Sequence, residues 1–171
     1  MSDRFSSVEP LKQNHILAEF DCGSDAQTTW LRRHALQSHF GRMSVVWVVR
    51  RLADDRVVGF YALTSGSVLQ RDAPERAKKG SGAYDIPAMV LTRLGVDLSE
   101  QHQGLGRALV KDCFERVASV AQNAGVKVLL IHSEDEAARD FYIGLAAFEA
   151  SPTDPLHLTL LLKDLRRAMQ P

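Results

Sequence analysis

The chain has 171 residues, 45% of them hydrophobic and 25% charged, with 21 basic and 21 acidic side chains and a formal net charge of zero. That length predicts one domain over residues 1–171 with a full core, and the balanced charge excludes a globally basic nucleic-acid binder, so any RNA contact must come from a local patch. Cys22 and Cys113 fit neither a zinc nor a CxxC spacing, and no run reaches the ~20 apolar residues of a membrane span, which together predict a reduced, metal-free, cytoplasmic protein with no membrane association.

Residues 14–22 read as a short edge strand or a loop. Ser24 or Asp25 then caps a helix over residues 25–40, with Trp30, Leu31, Ala35 and Leu36 near helical spacing. MSVVWVVRRL and RVVGFYALTSGSV are two strands of a hairpin turning at Ala53–Asp55, and residues 70–85 are a polar surface loop with room for one helical turn. IPAMVLTRLGVDL reads as a central strand, and GLGRALVKDCFERVASVAQNAG as an amphipathic helix carrying Leu105, Leu109, Cys113, Val117 and Val120 on one face. A strand over KVLLIHS, a helix over Glu134–Gly144 and a last strand over PLHLTLLLKDL follow. Strand–helix–strand order demands a parallel crossover, and the preceding hairpin demands antiparallel neighbours. The fold class is therefore α/β with a mixed sheet.

The joint between the central strand and the long helix carries Gln101-His102-Gln103-Gly104-Leu105-Gly106-Arg107-Ala108. Glycine weakens a helix by roughly 0.5–1 kcal/mol relative to alanine, so two glycines at a helix start need a reason. Either the backbone turns tightly, or an anion approaches the first free amides of the helix. Arg107 favours the anion, because a cation in a first turn opposes the helix dipole. There is no Walker lysine–serine pair and no third glycine at the dinucleotide spacing.

The run Gln101–Gly106 resembles the Q/R-x-x-G-x-G/A pyrophosphate loop of the GCN5-related N-acetyltransferases (GNAT). Ala138 four residues before Tyr142 resembles that family's second signature. Phe20-Asp21-Cys22-Gly23, Trp30-Leu31-Arg32-Arg33-His34-Ala35, Gly59-Phe60-Tyr61-Ala62-Leu63, Leu91-Thr92-Arg93-Leu94-Gly95-Val96-Asp97, Asp140-Phe141-Tyr142 and Asp154-Pro155-Leu156-His157-Leu158 are similar to one branch of it. That branch is the acetyltransferase toxins of bacterial type II toxin–antitoxin modules.

The resemblance implies a GNAT fold of six or seven strands, with strands four and five splayed, and acetyl-CoA as co-substrate without a metal. It implies that the pantetheine arm pairs with the backbone of Leu94, Gly95 and Val96, that the pyrophosphate lies on Gln103 to Ala108 with Gln101 and His102 in the same loop, and that Asp135 and Ala138 contact the coenzyme arm. Tyr142 is then the acid that protonates the departing thiolate, with Phe141 beside it in the core. Gly95 in a central strand reads either as room for a ligand or as room for neighbouring side chains. His132, Ser133 and Asp97 end their strands where a base would stand, and none is compelling. A lysine amine, with a pKa of about 10.4, needs a base, whereas an α-amine near 7.7–8.0 needs much less help.

The absence of a strong base thus fits the α-amine of aminoacyl-tRNA, and the branch implies a toxin that acetylates it and blocks translation. Arg32, Arg33, Arg71, Arg76, Lys78, Lys79 and Arg93 are the candidate tRNA contacts. A ribbon-helix-helix antitoxin and a homodimer are the implied partners. Two rivals are an N-acetyltransferase of small amines or peptide N-termini, and a non-catalytic coenzyme A- or RNA-binding module. The chain departs from the family pattern at His102 and Gln103, at Asp135 in place of asparagine, and at Ala147, which must take a turn usually made by glycine.

Overall fold

In the computed structural model, which describes residues 3–171, the chain runs β1 (Glu9–Pro10), α1 (Asp25–Arg33), α2 (Ala35–Phe40), β2 (Val45–Arg50), β3 (Val57–Val68), α3 (Glu75–Lys78), β4 (Ile86–Val96), α4 (Leu105–Val120), β5 (Val128–His132), α5 (Glu136–Ile143), β6 (Glu149–Ala150), β7 (His157–Leu161) and α6 (Leu162–Ala168). The strands form a mixed seven-stranded sheet in the order β1-β2-β3-β4-β5-β7-β6. β4 and β5 are parallel, and the pairs β1/β2, β2/β3, β5/β7 and β6/β7 are antiparallel. The α/β class expected from the sequence is the one observed. The chain divides into two compact units, Met1–Thr64 with Thr92–Asp112, and Ser65–Leu91 with Cys113–Pro171.

In the first unit β-branched and aromatic residues build the β2–β3 hairpin, whose turn is closed by the Arg51 amide on the Arg56 carbonyl at 2.9 Å, with Asp55 at φ 62°. The edge strand forms at Glu9–Pro10; residues 14–22 contribute only an Ile16–Arg56 bridge. The single helix expected over 25–40 is two. Ser24 caps α1 by accepting from the Gln27 amide, His34 leaves the helical region at φ −121°, and α2 restarts with Ala35. His39 Nδ1 on α2 then accepts the Val46 amide at 3.0 Å, an anchor on β2 that local periodicity does not report. Leu11, Leu17, Phe20, Leu31, Val46, Val48 and Phe60 form this unit's core, with Phe20 edge-on to Phe60 at 5.5 Å and Trp30 stacked on it at 6.0 Å.

In the second unit β4 and β5 share a four-pair register, from Ala88↔Val128 to Leu91↔Ile131. The pairing ends one residue before β5 does, and β4 continues to Val96. Val68, Ala77, Ile86, Ala88, Val128, Leu130 and Leu161 are packed together. The last strand ends earlier than its sequence suggests. β7 stops at Leu161, and α6 takes the following seven residues, with Leu162 donating to the Lys127 carbonyl at 3.0 Å. Asp164 on α6 is buried and is held by Arg76 at 2.9 Å, so a charged residue that reads as solvated is an internal anchor. The turn at Ala147 is closed by the Phe148 amide on the Ala146 carbonyl at 2.8 Å, a three-residue turn that needs no glycine.

Candidate active site

β4 ends where Asp97 caps a short 3-10 turn over Leu98–Glu100. Its carboxylate accepts from the amide of Asp21 (3.0 Å) and from the amide and hydroxyl of Ser99 (3.0 and 2.6 Å). Burial raises its pKa, but the Ser99 and Asp21 donors outweigh that and hold the group below the ordinary carboxylate range. An acid so firmly ionised is a turn-former and a poor proton acceptor.

The loop that follows is defined by its backbone. His102 and Gly104 both have left-handed φ, 60° and 86°. A Cβ built on Gly104 would meet nothing within 4 Å, so packing does not explain this glycine; the conformation and the open space in front of it do. Alternation of this kind points successive amides into one concavity suited to an anion. α4 opens at Leu105, and its first intrahelical bond runs from the Ala108 amide to the Gly104 carbonyl at 3.0 Å. The amides of Gly104, Leu105, Gly106 and Arg107 precede that bond, whereas Ala108 has its amide committed to the Gly104 carbonyl. Arg107 is exposed and has no ion-pair partner among the described residues.

Several loop-bracing residues were not legible in the motif. Gln101, expected to meet the coenzyme, instead donates its side-chain amide to the carbonyls of Cys22 and Val96, both at 2.9 Å. Gly59 gives α4 its seat, since a Cβ there would lie 3.0 Å from Leu109 and 3.4 Å from Leu105. Gly95 is resolved in favour of crowding: a Cβ would lie 2.7 Å from Phe60 and 3.3 Å from both Phe20 and Cys22. Leu94 and Val96 flank it, both half-buried.

α5 belongs to the second unit. Asp135 caps it, one carboxylate oxygen accepting the Ala138 amide at 2.8 Å, so the two residues expected on the coenzyme arm are bonded to each other. Tyr142 is 6% exposed, with the rings of Phe141 and Phe148 at 5.3 and 6.1 Å. Burial, and secondarily Cys113, push its phenol well above the usual tyrosine range. It stays protonated through neutral pH, as an acid must. Phe141, expected in the core, is 37% exposed, because its neighbour Tyr142 occupies the buried face of the helix.

At the end of β5, His132 stacks on His157 at 3.9 Å, and His157 Nε2 lies 3.4 Å from Asp154. Desolvation first, then His157, lower the His132 pKa, so the ring is neutral at pH 7. The adjacent Ser133 has a buried hydroxyl with no hydrogen-bond partner.

The expected tRNA contacts separate by environment. In the first unit Arg32 and Arg33 are exposed at the end of α1, and the Arg93 guanidinium lies over the Trp30 ring at 5.3 Å. In the second, Arg76 is clamped by Glu149 (2.6 Å) and Asp164 (2.9 Å), Lys78 pairs with Glu75 (2.9 Å) and Arg71 lies 3.8 Å from Asp72. Lys79 lines a surface cavity of about 320 Å³ together with Arg76, Lys127 and Lys163. Lys127 and Lys163 carried no signal of their own in the sequence. Among the described residues no cluster of His, Cys, Asp and Glu could hold a metal ion, and no helix is long and apolar enough to cross a membrane.

A parallel β4–β5 pair, an open glycine loop at a helix start and a buried phenol on the next helix are the parts of a coenzyme A-dependent acyltransferase. The acetyltransferase (GNAT) family model matches residues 13–145, and the chain belongs to that family. It is 43% identical over 162 residues, 95% of both chains, to the tRNA-acetylating toxin of Mycobacterium tuberculosis (strain ATCC 25618 / H37Rv). Its fold is similar to that of AtaT complexed with acetyl-methionyl-tRNAfMet (TM-score 0.86, 25% identity, 96% of this chain and 99% of that one). It is also similar to AtaTR bound with AcCoA (TM-score 0.83, 26% identity, 99% and 100%).

Proposed function

We propose that this acetyltransferase is a toxin that moves the acetyl group of acetyl-CoA onto the α-amine of aminoacyl-tRNA and so blocks translation. The observation that carries the acceptor is the likeness to a tRNA-acetylating toxin along nearly the whole of both chains. The loop supports the donor: unpaired amides from Gly104 to Arg107, an unpaired Arg107 and open space before Gly104 suit a pyrophosphate. In this reading the backbone of Leu94 to Val96 lies along the pantetheine arm as an added strand would.

The amine nitrogen attacks the thioester carbonyl carbon, a backbone amide near Val96 steadies the developing oxyanion, and the C–S bond breaks. Tyr142 gives its proton to the departing thiolate, and the proton shed by the acylated nitrogen restores the phenol, so that amine and thioester become amide and thiol with no net change at the enzyme. The raised pKa of Tyr142 supports that role, because a phenol ionised at working pH would have no proton to give. Neither Asp97 nor His132, the two titratable strand-end candidates, is a strong general base. The carboxylate of Asp97 is saturated with donors, and His132 is a weak base, which suits an α-amine that is partly neutral at pH 7. We assign the exposed Arg32 and Arg33, with Arg93, Arg71, Lys78 and Lys79, to tRNA phosphates, and Arg76 chiefly to holding Asp164. The same reading implies a ribbon-helix-helix antitoxin, a homodimer and a cytoplasmic location.

The test is transfer of labelled acetyl from acetyl-CoA to total aminoacyl-tRNA, by wild type and Tyr142→Phe side by side. Label on tRNA with the wild type alone is the expected result. Coenzyme binding without any label on tRNA would discard the acceptor and leave the family activity to other amines.

A further inference from the structure

We propose that Glu100 is a positioning residue for the coenzyme loop, holding Arg4 of the N-terminal arm and Arg51 of the β2–β3 turn against it; this rests on the reading that the loop takes the coenzyme's pyrophosphate. Glu100 is 1% exposed, and a carboxylate that far from water must be paired. Arg4 Nη2 reaches both of its oxygens, at 3.2 and 3.0 Å, and Arg51 Nη1 reaches one at 2.9 Å.

Each arginine has a second grip. Arg4 Nη1 donates to Gln103 Oε1 at 2.9 Å, immediately before Gly104. Arg51 Nη1 donates to Ser99 Oγ at 3.1 Å, and its remaining nitrogens are held by Asp54 at 2.7 to 3.2 Å. Gln103 Nε2 closes back on the Ser99 carbonyl at 3.4 Å. One buried charge thereby joins two separate stretches of chain, around Arg4 and around Arg51, to the residues that set the loop.

The loop needs such support. His102 is a non-glycine residue in the left-handed region, a conformation that persists only when its surroundings hold it. No bond within residues 102–104 does so. Glu100, two residues upstream, and Arg4 through Gln103 on the other side bracket His102 from both directions. A loop held in its binding shape beforehand binds its ligand more tightly, since ordering is not left to the binding step. Positioning of this kind acts on coenzyme affinity and leaves the chemical step alone.

The experiment is calorimetric titration with acetyl-CoA, with steady-state kinetics and thermal melts, on wild type, Glu100→Gln, Arg4→Ala, Arg4→Lys, Gln103→Ala and the double variant Arg4→Ala/Gln103→Ala. Arg4 is largely exposed, so Arg4→Ala is expected to fold and to raise Kd and KM for acetyl-CoA about threefold, with kcat at saturation unchanged. Arg4→Lys keeps a charge for Glu100 without the fork that also reaches Gln103, and should recover part of the affinity. Glu100→Gln is expected to raise Kd about tenfold or more. In the Gln103→Ala background, Arg4→Ala should have a smaller effect than in wild type, because the two residues share one hydrogen bond. Folded Arg4→Ala and Glu100→Gln proteins that bind acetyl-CoA as tightly as wild type would overturn the proposal. A wild-type protein that does not bind acetyl-CoA would instead remove the loop reading on which it rests.

Discussion

The loop opening α4 and the helix α5 solve their problems by different means. In the proposed reaction the loop works through backbone amides, and its own side chains are exposed at His102 and Gln103; what matters there is conformation, braced by a polar network of Asp97, Gln101, Glu100, Arg4 and Arg51. α5 in the same proposal works through one oxygen, that of Tyr142, kept protonated by apolar surroundings. Polar anchoring suits a site that must hold a shape, and apolar burial suits a group that must hold a proton. Substitutions in the first should therefore move binding, and substitutions in the second should move turnover.

The largest effect is expected at α5. Tyr142→Phe removes the donor and keeps the ring that packs between Phe141 and Phe148, so turnover should fall by about 10²–10⁴-fold, the usual worth of a general acid. Acetyl-CoA affinity should stay near wild type in a titration. A variant with near-normal turnover would break the assignment of Tyr142 as the acid. At the loop the pattern should reverse. Gly104→Ala meets no atom but forces alanine to φ 86°, which disfavours the loop by about 1–2 kcal/mol and weakens acetyl-CoA binding by about tenfold. Gly104→Asn should lose less, because asparagine tolerates that region. Equal affinities for the three proteins would show that the glycine serves something other than conformation.

Acid should separate the two regions further. The Asp97 carboxyl is held below its ordinary value of 3.8 in the folded protein. The folded state therefore binds fewer protons there than the unfolded one, so its contribution is full above about pH 4 and is lost as pH falls through the lowered folded value. Asp97→Asn should reduce stability by about 1–2 kcal/mol at pH 7, and the gap to wild type should close below the ordinary carboxylate range. Melts of the two proteins between pH 7 and pH 2 read this directly. A gap that stays constant would mean that the bonds to Ser99 and Asp21 do not depend on the charge.

What was legible in the sequence was local. The glycine pair, the apolar spacing of α4 and the β-branched hairpin each name their own structure, and so β2, β3, β4, α4, β5 and α5 were all foreseen. What failed was set by distant residues. The helix break at His34 and the end of β7 at Leu161 occur inside runs whose periodicity continues, and the contacts that accompany them, His39 of α2 with the Val46 amide of β2 and Asp164 of α6 with Arg76, reach partners outside those runs. Gly95 could not be read because its reason is Phe60, 35 positions earlier. The brace around Glu100 was missed for the same cause: a Ser-Glu-Gln run looks like a solvated turn until Arg4 and Arg51 come to it.

The smallest effect expected concerns the arginines, and it carries the same contrast between groups that hold structure and groups that face outward. Arg32 and Arg33 are exposed at the end of α1, where they also complement the helix dipole, while Arg76 is clamped by Glu149 and buried Asp164. If Arg32 and Arg33 meet tRNA phosphates, neutralising either to glutamine should weaken binding modestly and flatten the dependence of log K on log salt by about 0.7–0.9 for each phosphate no longer neutralised. The melting temperature should hardly move. Arg76→Gln should do the opposite, lowering the melting temperature because it strands the Asp164 carboxylate, with little change in the salt slope of the protein that remains folded. A salt slope that falls with Arg76 and not with Arg32 or Arg33 would reverse these roles, and would place the tRNA surface on the second unit beside the cavity lined by Lys79 and Lys163.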